Sequence, residues 1–148
     1  MNTKTLLAAL VGAIVAFLLG WLVFGILMAP MYKDHMMTYE GLQKDMEHLA
    51  VSSYIAIFAA NLAWSLAIAL ICSWSNMVGL VKGAVIGASI GFLMDFQHAM
   101  FNVALMNMYK DAMIVVVSLI VSTIFAAVIG GIIGWMMGMG KKPTTPAM

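Results

Sequence analysis

Apolar residues gather along this chain into four long blocks, 6–29, 51–74, 82–106 and 112–137, and most charges fall in the stretches between them. Each block has 24 to 26 residues. A helix needs about 20 residues to cross a hydrocarbon core, so every block predicts a spanning helix with some tilt. The expected fold is all-α, an integral membrane four-helix bundle forming a single transmembrane domain over 1–148. In the outer connection, 31–50, Tyr32, Met36, Tyr39, Leu42, Met46 and Leu49 recur at threes and fours. That spacing suits an amphipathic surface helix interrupted near Gly41. Pro30 is expected to end the first span, because it restricts the residue before it and lacks an N–H. Residues 138–148 read as a short cytoplasmic tail.

Small residues recur at every fourth position in three of the blocks. The first carries Ala8, Gly12, Ala16 and Gly20; the third has Gly79, Gly83, Gly87 and Gly91 at its start; the fourth carries Ser118, Ser122, Ala126, Gly130, Gly134 and Gly138. Such small-xxx-small faces let helix backbones approach closely, a glycine zipper. Three seams exceed what one small bundle needs. Beyond the lipid bilayer, the expected partner is therefore a second copy in a homo-oligomer or a larger membrane complex.

Polar residues inside the blocks are few and shared between helices. On the third block Ala84, Gly87, Gly91, Asp95, His98 and Asn102 fall within an arc of roughly 80°, and on the second Tyr54, Asn61, Ser65 and Cys72 fall within about 40°. Asn61, Asp95 and Ser122 each lie roughly 15 Å from the outer end of their helix, near the middle of a core about 30 Å thick. The expected polar intramembrane cluster is Asp95, His98, Asn102, Asn61, Ser122, Ser118 and Tyr54. An ionised carboxylate at that depth costs at least about 2.5 kcal/mol on insertion scales. Asp95 is thus either part of a hydrogen-bond knot joining helices or part of a proton, ion or ligand site.

Composition supports the membrane reading: 64% of residues are hydrophobic and 9% charged, against about a quarter charged in soluble domains. A net charge of +1 leaves no nucleic-acid footprint. Lys4, Lys82, Lys141 and Lys142 face Lys33, Lys44 and Lys110 across the span pattern, which tips both termini toward the cytoplasm. The first block exceeds a signal peptide's apolar core and lacks its cleavage site, so it is expected to be retained. Cys72 stands alone, so neither an intramolecular disulfide nor a cysteine metal cluster is expected.

Asp45-Met-Glu-His48 and Asp95-Phe-Gln-His98 share the D-x-x-H spacing of dimetal helix bundles, but the other spans offer no carboxylates to complete such a site. Sixteen methionines suit soft Cu(I), and equally suit adaptable packing. No cofactor is expected. If a metal is held, His35, His48, Asp95 and His98 are the available donors. No catalytic motif is present, and the glycine spacing matches no phosphate-binding loop, so an enzyme is not expected.

Two stretches, Phe17-Leu-Leu-Gly-Trp21-Leu-Val-Phe-Gly25 leading into Pro30 and Tyr32, and Gly83 through Gly91-Phe92 and Phe101 to Gly130-Gly-Ile-Ile-Gly-Trp135, together cover about half the chain. They resemble a group of small four-helix bacterial inner-membrane proteins known only as domains of unknown function. Leu22-Val23 stands where that group shows a further aromatic and a proline. The resemblance implies a four-helix architecture and a bacterial inner membrane, and it carries no site residue. Two functions remain open: an accessory or structural, oligomer-forming membrane protein, or a small transporter or channel for protons, ions or metal using Asp95 and His98.

Overall fold

The computed structural model describes residues 2–39 and 49–139. It is a helical bundle. Helix α1, Thr3–Gly20, runs on through a π-helical segment, Trp21–Leu27, and is followed by the short α2, Ala29–His35; the long α3, Val51–Trp74, α4, Leu80–Leu105, and α5, Ala112–Gly138, complete it. Among the described residues, four helices are long and apolar enough to cross a membrane: Thr3–Leu27, Val51–Trp74, Leu80–Leu105 and Ala112–Gly138. Lys4 Nζ donates to the Met139 carbonyl, so both described ends lie at one end of the bundle, called inner here.

The outer connection differs from expectation. The first span does end just before Pro30, at Leu27; Pro30 itself sits in the first turn of a new helix, α2, where its missing N–H costs nothing. The amphipathic helix stops at His35. Residues Met37 to Tyr39 have no helical structure; the Met37 N–H donates to the Met108 carbonyl at 2.8 Å, and the Lys110 N–H to the His35 carbonyl at 2.9 Å. Pairing with 108–110 satisfies backbone groups that a surface helix would have satisfied within itself. Gly41, Leu42, Met46 and His48 lie outside the described residues.

The closest helix contact is between α4 and α5. A Cβ on Gly83 would lie 2.7 Å from Gly134 Cα, and one on Gly87 would lie 2.8 Å from Gly130 Cα. Placed on Gly91, it would collide with the Ala126 methyl. Gly138 also approaches this line: a Cβ placed on it would lie 3.3 Å from the Gly79 backbone nitrogen. Gly79 joins this packing, since a Cβ on Gly134 would lie 2.5 Å from its carbonyl oxygen, and it also has a second part. With φ of 114° it is the N-cap of α4, a conformation that favours glycine, and its N–H donates to the Gly134 carbonyl at 2.8 Å. Gly12 packs tightly on the Ile133 side chain. Gly20 does not join a close contact, since a Cβ placed on it would meet the Phe125 ring only at 3.8 Å.

The other helices pair as α1 with α3, while α3 and α4 touch little although a short turn joins them. Two apolar clusters result. The inner one centres on Ala8, Ala16, Ile68, Ile86, Ile129 and Ile133; the outer one centres on Met28, Ala99, Ile114 and Val115.

Gly83→Ala and Gly87→Ala should each lower stability by about 1–3 kcal/mol, the usual cost of overpacking. Gly20→Ala should stay within about 0.5 kcal/mol of the parent. Thermal unfolding in mild detergent compares the three, and equal losses would remove any special standing of the α4–α5 contact.

Candidate functional site

A cavity of about 560 Å³ lies between the two apolar clusters. It begins where the glycine contact ends, because Gly91 and Ala126 belong both to the last close step of α4 on α5 and to the cavity floor. Trp64 and Phe125, stacked at 6.2 Å, extend the floor across α3 and α5, and Phe24 meets Phe125 edge-on at 5.4 Å. Walls come from Asn61 on α3, from Asp95, His98 and Asn102 on α4, and from Ser118 and Ser122 on α5. Tyr32, Met36, Met108 and Tyr109 cap the outer end. The cavity is not enclosed. His98 and Met94 in its lining are exposed, and α3 and α4, which touch little, both contribute to the lining.

Six of the seven residues grouped by helix arc and depth therefore surround one space. Tyr54 does not reach it; it is exposed near the start of α3. The hydrogen bonds there differ from those of an interhelical knot. Asn61 Nδ2 donates to the Ile57 carbonyl at 2.9 Å and Ser122 Oγ to the Ser118 carbonyl at 2.8 Å, each within its own helix. Between elements, Ser118 Oγ approaches the Tyr32 hydroxyl at 3.4 Å. Asp95 is half-buried and Asn102 buried. On the same α3 arc, Ser65 and Cys72 are fully buried in the inner core rather than at the cavity, and the Ser65 hydroxyl has no hydrogen-bond partner among the described residues.

Of the possible metal donors, His35 stands apart from Asp95 and His98. Its Nδ1 lies 2.7 Å from Asp111 Oδ2. A carboxylate only accepts, so Nδ1 carries the hydrogen. The other carboxylate oxygen, Oδ1, accepts from the N–H groups of Met113 and Ile114 and caps α5. Among the described residues no group of three or more His, Cys, Asp or Glu is placed to hold a metal ion.

Protein-family models, curated proteins and solved structures were all compared with the chain, and none matches. The site therefore rests on its own geometry.

Sequence reasoning missed two features. The aromatic floor was signalled only faintly, by Trp64 one turn from Asn61. The outer clasp had a clearer signal, since Asp111 directly precedes an apolar block, as an N-cap does. That clasp also includes Tyr39 Oη donating to the Asn107 carbonyl at 2.7 Å and Lys110 Nζ donating to the Asp34 carbonyl at 2.8 Å.

The His35 N–H, against opposing desolvation and with help from the cap N–H groups, holds the Asp111 carboxyl below its ordinary value. Such a group contributes stability that is full above its unfolded pKa of about 3.9 and is lost as pH falls through the folded value. Amide exchange at Met37 and Lys110, corrected for intrinsic rates, should thus keep its protection down to about pH 4 and lose it below. Asp111→Asn retains a cap oxygen and should abolish that loss; an unchanged decline would assign it to another group.

Proposed function

We propose that this chain is a small multi-pass membrane protein of the bacterial inner membrane, with both termini cytoplasmic and the bundle held by a glycine zipper. In this reading the cavity around Asp95 and His98 is a binding site rather than a structural knot. The observation that carries it is the placement of Asp95 on the wall of an open cavity whose neighbouring amide and hydroxyl bond within their own helices. A knot would direct those groups across helices.

The protein thus acts as an accessory membrane component that receives a ligand from the outer leaflet side. The exposed outer half of α3 supports assembly with a second copy or a larger membrane complex. No resident cofactor and no catalysis are invoked. Conduction of protons, ions or metal, the alternative, would need a route through the floor, where the backbones of α4 and α5 lie closest.

A carboxylate kept for binding lowers the stability of the empty protein. Asp95→Asn should therefore leave thermal stability in detergent unchanged, or raise it by up to about 3 kcal/mol. A loss above about 1 kcal/mol would restore the knot reading, because removing a hydrogen-bonding group from a satisfied network destabilises. Flux of protons or ions into liposomes that disappears in Asp95→Asn would favour conduction instead.

A further inference from the structure

Resting on the reading of the cavity as a binding site, we infer that its ligand is an organic cation: an ammonium or similar charge carrying an apolar body. Three features of the lining select this chemistry. Among the described lining residues Asp95 is the only carboxylate, and none of them is a lysine that would neutralise it. Lys110, near the cap, is directed to the Asp34 carbonyl. A half-buried carboxylate within a spanning helix is costly unless a counter-charge arrives, and a bound cation supplies one.

The floor supplies the second feature. Trp64, Phe125 and Phe24 form a continuous aromatic surface. Ring faces attract cations within about 6 Å and also accept apolar groups, so they suit both parts of such a ligand. They give nothing comparable to an anion.

Volume and access are the third feature. A space of about 560 Å³ falls in the range that holds drug-sized molecules, roughly 300–1,000 Å³. It is far larger than a bare metal ion needs. All four spanning helices contribute to the lining, and the lining residues Met94 and His98 are exposed, so a ligand with an apolar body can enter from the bilayer. A free amphipathic amine and the amino headgroup of a lipid share this chemistry.

The test uses two ions of matched shape and opposite charge, tetraphenylphosphonium and tetraphenylborate, titrated calorimetrically onto the full chain in phosphatidylglycerol nanodiscs. Empty discs provide the partition background. The phosphonium should bind at one site per chain, the borate should show only background, and Asp95→Asn should weaken the phosphonium about tenfold or more. Equal binding of both ions, or phosphonium binding unaffected by Asp95→Asn, overturns the cationic class while leaving the cavity as a site for apolar ligands. Failure of both ions to bind overturns the inference, and if Asp95→Asn also destabilises the protein, the binding-site reading falls with it. When the phosphonium binds, adding phosphatidylethanolamine distinguishes the sources: displacement identifies an amino-lipid headgroup, and retention a free amine.

Discussion

The backbone contact between α4 and α5 governs the rest of the bundle. In a bilayer, lipid is as apolar as a leucine side chain, so helices associate through close packing rather than through escape from water. Gly83 and Gly87 meet Gly130 and Gly134 with no room for a methyl group between them. That contact draws α4 onto α5 along its inner half. Helix α3 packs instead on α1, which leaves the gap between α3 and α4. The cavity is a by-product of where the tightest contact was placed.

The register of the contact also fixes what faces the cavity. Gly83 lies level with Gly134, Gly87 with Gly130, and Gly91 with Ala126. Four residues further along α4, and four back along α5, come Asp95 and Ser122. The first bulky side chain on this face is thus the charged one. The Ser122 hydroxyl is turned to the carbonyl of Ser118, leaving the Asp95 carboxylate to the cavity. Close packing and a polar wall are successive parts of one helical face.

Much of this was legible in residue spacing. Length and hydropathy placed the spans, since both depend directly on bilayer thickness. Counting about 1.5 Å per residue put Asn61, Asp95 and Ser122 at one depth, and the three do line one space. Arc counting was less selective: Tyr54 and Ser65 share an arc with Asn61, yet one is exposed and the other buried. An arc fixes azimuth on one helix and says nothing about where the neighbouring helix diverges. Spacing fell short at Gly79, which does join the close packing but also makes a turn with positive φ that a four-residue rhythm conceals. It failed again at Met36 to Tyr39, where pairing with the 107–110 connection, distant in sequence, overrode a local helical pattern.

The π-helical segment Trp21–Leu27 has a consequence of its own. The Met28 N–H donates to the Val23 carbonyl at 2.8 Å, five residues back. In regular α-winding that partner would belong to Leu27. Met28 is accordingly 7% exposed and Leu27 65% exposed. The wider turn absorbs one residue and shifts the phase of the helix beyond it by about 100°, the angular step of a single residue. The shifted helix is α2, which brings Tyr32 and Met36 to the cavity mouth. The azimuth of the cap is thus written as a phase offset in the first spanning helix, far in sequence from Asp95. A single insertion or deletion within 21–27 would re-aim the mouth while leaving the glycine contact and the carboxylate where they are.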